Sequence, residues 1–197
     1  MKYLVIKNSS FNLNAYALTT IRKVDIFHIM EWRNQQIKIL RQNNIISKAE
    51  QISYYENTIL PSFTSNKQKM ILFSFLYNKI CIGYGGFTNI DWHSKRAELS
   101  FLLDTKRTFN KKQYAYDFTI FLNIIKYIAF NEIKFNRLFT ETFDFRSLHI
   151  KILEKNNFKI EGILKKHIYI KNKYYNSLIH AQLIREFKGK SKIYVKK

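Results

Sequence analysis

Between Tyr114 and Ala129 the residues Tyr114, Phe118, Phe121, Leu122, Ile125, Ile128 and Ala129 recur at the three-and-four spacing of a helix, and this stripe constrains the fold more than any other feature of the chain. A stripe so long needs a broad apolar surface to lie on, and the flanking sequence supplies one in strands. Residues 68–77 and 80–88 read as strands joined at Asn78 and Lys79, a two-residue hairpin signal, with 96–103 as a third antiparallel strand. After the helix come a strand over 137–143, a short helix over 146–155, and a long hairpin of 158–170 and 174–185 with Asn172 at its turn. Ahead of the sheet, 2–7 and 15–22 read as strands. Asp25 reads as the N-cap of a helix over 26–32, and Ser47 followed by Glu50 as a capping box opening a helix toward Asn57. The class is α/β (α+β): a central mixed, mostly antiparallel sheet of about seven strands flanked by about four helices.

A chain of 197 residues, 46% hydrophobic, fills one core and leaves too little for a second. Pro61 is the single proline, and no repeat or linker interrupts the pattern, so 1–197 is expected to be one domain with a core over about 15–185 and a basic tail over 188–197. The longest apolar stretches, 71–77 and 124–130, contain Ser74 and Lys126 and fall short of the about 18 residues a membrane span needs. With no small-residue cleavage site near Met1, the expected location is the cytoplasm. Cys81, the lone cysteine, has no disulfide partner and sits in an apolar strand, where packing is its expected role. Lys and Arg number 34 against 14 Asp and Glu, a net charge of +20 that raises nucleic acid, a membrane surface or a polyanionic small molecule as partners without choosing among them, and whose scatter along the chain equally fits no selected role. The positive residues are scattered, denser at 106–112, at Lys165 and Lys166 and in the tail, and they do not interleave with aromatics as in an RNA-binding strand, which argues against nucleic acid. No metal is expected.

The order of elements, the strand Ala97-Glu98-Leu99-Ser100-Phe101-Leu102-Leu103, and Leu153-Glu154-Lys155-Asn156-Asn157-Phe158 followed by Glu161-Gly162 resemble the GNAT superfamily of acyltransferases over about 15–183. Trp32-Arg33-Asn34, Leu40-Arg41-Gln42, Ile82-Gly83-Tyr84-Gly85-Gly86 and Ile90-Asp91-Trp92 are most similar to the branch acting on nucleotide-linked amino sugars. The resemblance implies a GNAT-like fold with acyl-coenzyme A, either acetyl-CoA or a short hydroxyacyl-CoA, as cosubstrate. Backbone groups of Phe101, Leu102 and Leu103 would hold the pantetheine where their strand splays from its neighbour. The family's phosphate loop, a glycine-rich turn at a helix start, falls here on Asn110, Lys111, Lys112, Gln113, Tyr114 and Ala115. Only Ala115 fits its pattern, so Arg107, Lys111 and Lys112 would compensate by pairing with phosphates. Arg146 stands where relatives carry an asparagine that touches the pantetheine.

Glu98 is the only acid in its strand, and as the match to a frequent GNAT base it is the first candidate to take the proton from the amine. A structural pairing with Arg96, Lys95 or another nearby cation is the competing reading. His93 and His149 are rival proton carriers, titrating near neutrality. Relatives place a tyrosine proton donor where this chain has Leu153, and His149, four residues earlier on the same helical face, is the substitute. The acceptor pocket would draw on Trp32, Arg33, Asn34, Arg41, Tyr84, Asp91, Trp92 and His93, with aromatics stacking on a base or sugar and Arg41 meeting a pyrophosphate. For Trp32 a place in the core is the stronger reading.

The resemblance thus implies acyl-CoA-dependent N-acylation of a nucleotide-linked (dTDP- or UDP-) dideoxy amino sugar for surface polysaccharide, by direct amine attack. The alternatives are a ribosomal-protein Nα-acetyltransferase and a non-catalytic acyl-CoA-binding or RNA-binding domain. Edge pairing of the last strands would give a homodimer.

Overall fold

A computed structural model describes residues 1–189 and 193–196. Its strands are β1 (Ser10–Leu13), β2 (Tyr16–Thr20), β3 (Ile71–Tyr77), β4 (Ile80–Asp91), β5 (Arg96–Leu103), β6 (Arg137–Phe143), β7 (Lys159–Ile170), β8 (Lys173–Leu183) and β9 (Tyr194–Lys196). They form one nine-stranded sheet in the order β7-β8-β6-β5-β4-β3-β2-β1-β9, antiparallel everywhere except between β5 and β6. The predicted hairpin turns form as expected. Asn78 and Lys79 have φ of 47° and 69°, and Lys171 and Asn172 have 49° and 60°, the left-handed pair that a twisted two-residue turn requires.

The sheet exceeds the expected number because β1 and β9 are too short to show a two-residue period. β9 lies within the segment read as a basic tail, pairing with β1 from Asn12↔Tyr194 to Ser10↔Lys196; residues 190–192 and 197 lie outside the described residues. Residues 2–7 are a correction in the other direction, since they make turns and no strand. Tyr3 and Ile6 are nonetheless fully buried. The Tyr3 hydroxyl donates to the Leu72 carbonyl at 3.1 Å and accepts from the Leu72 amide at 2.9 Å, just past Thr20↔Phe73, where β2 stops pairing with β3.

Six α-helical segments accompany the sheet, against about four expected from the sequence. α1 (Ile26–Gln35) lacks the predicted Asp25 cap; the buried Asp25 carboxylate instead takes two bonds from Arg22, at 2.6 and 2.8 Å. α2 (Lys48–Tyr54) opens on the predicted capping box and passes through a wider π turn at Tyr55–Ile59 into α3 (Leu60–Thr64). That turn lets Pro61, which offers no backbone donor, follow without ending the helix.

α4 (Thr105–Thr108) is a single turn leading into α5 (Lys111–Tyr127), and α6 (Ser147–Lys155) follows β6. α5 seats its stripe on the sheet, with Phe118, Phe121, Leu122 and Ile125 almost wholly excluded from solvent, each contributing about 1.5–3 kcal/mol. Phe121 packs edge-on to Phe75 at 5.6 Å between ring centres and against Phe101 at 4.5 Å. A Cβ on Gly85 would lie 2.7 Å from the Phe121 ring, so a glycine is what allows this close approach.

Candidate active site

The parallel junction of β5 and β6 is short. Arg96↔Arg137, Ala97↔Leu138 and Glu98↔Phe139 pair, after which the two strands part, while β5 stays bound to β4 as far as Gly83↔Leu103. From Leu99 onward the side of β5 that faces β6 has no strand partner. The wedge so formed is a cleft of about 310 Å³ lined by Arg41, Glu98, Phe101, Glu141, Arg146 and His149, among others. A second cavity of about 350 Å³ lies between α1, α2 and β4, with Arg33, Glu50, Gln51, Tyr54 and Tyr84 in its walls. Arg33, Thr88 and Ser100 line both, so the two spaces meet across β4 and β5.

Glu98 is 4% exposed, yet it is not a bare acid in an apolar strand. Asn89 donates to its Oε2 at 2.6 Å, aimed there by a bulge in β4 at which Asn89 has φ of 47°. Arg41 donates to Oε1. The expected pairing with a nearby cation is therefore present, but with Arg41 rather than Arg96 or Lys95; Arg41, read as a pyrophosphate contact, bridges Glu98 and Glu141, reaching the latter at 3.2 Å. Glu141 in turn lies 3.2 Å from His167 Nδ1. Neither Glu141 nor His167 was found from sequence, since nothing local to either one marks it. Two of the roughly four acceptor positions of the Glu98 carboxylate are used, and the others stay available.

His149 is 6% exposed and stacks on Phe118 at 4.3 Å. Burial and the nearby Arg146 push its pKa well below the usual histidine value, so the ring is neutral. Tyr114, also buried, has its hydroxyl pKa raised by desolvation and keeps its proton. With Tyr114 Oη 2.7 Å from His149 Nδ1, the consistent arrangement has the hydroxyl donating to Nδ1 and leaves the ring hydrogen on Nε2. Leu153, where relatives carry a tyrosine, is fully buried in the core.

The helix start shows why the glycine pattern is missing. Asn110 caps α5 with its own side chain, accepting from the Lys112 and Gln113 amides at 3.0 and 3.1 Å, which are donors a pyrophosphate would otherwise use. Arg107 is committed elsewhere, binding the buried Asp117 at 2.8 and 3.0 Å. Gln113 and Tyr16 bind the same carboxylate at 2.7 and 2.8 Å. Lys111 and Lys112 remain exposed at this end. The residues present fit the pantetheine arm of a coenzyme, through the open edge of β5, and its phosphates through cations more than through helix amides.

Several residues read as acceptor contacts hold structure. Trp32 is buried in the core beside His28. Asn34 pins the following loop through Ile46, donating to its carbonyl at 2.8 Å and accepting from its amide at 2.9 Å. Trp92 donates to the Gln68 carbonyl at 2.8 Å. Asp91 caps a turn at Ser94, and His93 sits exposed in that turn, lining neither cavity. Arg33 and Tyr84 do face the second cavity, joined to each other at 2.6 Å. Among the described residues no group of three or more His, Cys, Asp or Glu is placed to hold a metal, and no helix is long and apolar enough to cross a membrane.

The sequence profile described as an acetyltransferase (GNAT) domain matches residues 18–179. No curated protein matches the chain. Among solved structures, a spermidine N-acetyltransferase from Vibrio cholerae in complex with CoA and spermine is similar with a TM-score of 0.77 at 15% identity, covering 88% of this chain and 98% of that one. A ribosomal L7/L12 alpha-N-protein acetyltransferase in complex with coenzyme A gives 0.70 at 14% identity, covering 88% and 96%. At these identities the likeness is one of fold.

Proposed function

The chain belongs to the GNAT acetyltransferase family, and from that premise we propose that it N-acylates a small amine that carries an anionic group, a nucleotide-linked amino sugar. The observation that carries the transferase reading is the parting of β5 from β6 after Glu98. Bound there, acyl-CoA supplies an acyl group already activated as a thioester.

The protein's part is positional. Backbone groups of β5 beyond Leu99 face the wedge and stabilise negative charge developing on the acyl oxygen. The amine enters from the cavity between α1, α2 and β4 and reaches the wedge past Arg33, Thr88 and Ser100. Glu98, held still by Arg41 and Asn89, accepts its proton directly or through one water. His149, with Nε2–H set by Tyr114, returns a proton to the departing sulfur; it stands in for the missing tyrosine.

Charge supports the acceptor class. Arg33, Arg41 and Arg146 line the cleft against Glu98 and Glu141, on a chain of net charge +20. A polyamine would enter against that field, and a nucleoside diphosphate would be drawn in by it. The test is a mass-spectrometric assay of the purified protein with acetyl-CoA and hydroxyacyl-CoA against UDP- and dTDP-amino sugars, spermidine and an N-terminal ribosomal-protein peptide. Acylation of the nucleotide sugars is expected. Turnover of spermidine or the peptide alone would overturn the acceptor assignment, and thermal stabilisation by acyl-CoA without turnover of any amine would overturn the transferase reading.

A further inference from the structure

The α5 helix has a second polar environment far from the wedge. Lys126 lies twelve residues beyond Tyr114 on α5, about 18 Å along the helix axis at 1.5 Å per residue. Here the C-terminal ends of α5 and α6, the end of β8 and the segment after it enclose a cavity of about 530 Å³, within the range of small-ligand sites.

Its lining is cationic. Among the described lining residues Lys126, Lys155, Lys159 and Lys188 contribute positive charge and Glu186 the only negative one, and Glu186 is already paired with Lys159 at 2.6 Å. Lys126 is 5% exposed. Its ammonium donates to the Asn156 carbonyl at 2.9 Å and has no carboxylate partner among the described residues. Burial pushes its pKa down to about 8, as for a cation short of counter-charge. Gln182, 1% exposed, also lines the cavity, and its Oε1 is buried without a hydrogen-bond partner. A buried ammonium needs an anion, and an orphaned carbonyl oxygen needs a donor.

We propose that this cavity is a binding site for a phosphorylated small molecule that also carries a hydroxyl or amino hydrogen, the phosphate meeting Lys126, Lys155 and Lys188 and the donor meeting Gln182 Oε1. The site is separate from the acyl-transfer cleft and does not depend on which amine is acylated there.

Isothermal titration of the full chain with ADP, and with inorganic pyrophosphate as a probe lacking the donor, tests it. ADP is expected to bind more tightly than pyrophosphate. The exposed double variant Lys155→Glu/Lys188→Glu, checked for folding by circular dichroism, is expected to weaken ADP at least tenfold. Gln182→Leu is expected to abolish the preference for ADP, and Lys165→Ala/Lys166→Ala, an exposed pair on β7 that lines neither this cavity nor the wedge, to leave the binding intact. An ADP affinity unchanged in the Lys155/Lys188 variant, its loss in the Lys165/Lys166 variant, or no binding to the unmodified protein would each overturn the proposal.

Discussion

At the scale of single residues, Glu98 and His149 divide the proton traffic in the proposed reaction, and each is held by a neighbour. Glu98→Gln preserves shape and the Asn89 side of the network but removes the base, so kcat is expected to fall by about 10²–10⁴-fold with the fold intact; steady-state kinetics and circular dichroism check both halves. Arg41→Ala removes the guanidinium that bridges Glu98 and Glu141, and a urea titration should show a loss of about 1–3 kcal/mol, the cost of a buried acceptor losing a charged donor. The pKa of His149 is depressed in the folded chain, so below about 6.5 the unfolded chain takes up a proton that the folded one refuses. Stability should therefore fall as pH drops from about 7 toward the depressed folded value, and His149→Gln should flatten that slope in urea titrations at successive pH values. The sequence marked Glu98, the one acid in an apolar strand, and His149, on the helical face of Leu153, as candidates, and both line the cleft. Their pairings were not legible there. Arg41 is 57 positions from Glu98 and Tyr114 is 35 from His149, separations that no local pattern spans.

At the scale of elements, the signals that proved readable were those in which a residue type does a specific mechanical job. Ser47 and Glu50 form their reciprocal cap, and Asn78 with Lys79 and Lys171 with Asn172 turn their hairpins. Ser47→Ala should cost about 1 kcal/mol in thermal or urea unfolding, the usual worth of such a cap. Asp25 failed as a cap because the nearby Arg22 offers a stronger bidentate partner. Segments 2–7, β1 and β9 were misread or missed because two to four apolar residues carry no period, and long-range contacts such as Tyr3 to Leu72 decide their shape. The start of α5 shows the reverse, a family motif replaced by a local one. Asn110 occupies the amides that a phosphate would use, so Asn110→Ala should free them and lower the dissociation constant for coenzyme A by about fivefold, the equivalent of the roughly 1 kcal/mol cap it displaces. Calorimetric titration of both proteins would read this directly.

At the scale of the whole molecule, the net charge of +20 acts on every anionic ligand at once. Raising ionic strength from about 0.05 to 0.5 M shortens the screening length from about 14 to 4 Å and should raise KM for both acyl-CoA and a nucleotide sugar several-fold, with little change in kcat. The class of the molecule was legible in the sequence, because the α5 stripe and three adjacent strand patterns leave few ways to stack; the order of the strands across the sheet was not read there. The wedge was reached only through the family resemblance, since an absence of pairing has no residue signature of its own. That absence also sets how the protein is braced. Along the sheet, β6, β7 and β8 hang from the rest by three residue pairs at the foot of β5, with α5 and α6 as the tie across the back. A coenzyme lodged in the gap would act as a keystone between the two sub-sheets. Amide hydrogens of β6 should then exchange more slowly in its presence, and the grip on the cosubstrate and the rigidity of the architecture become one property.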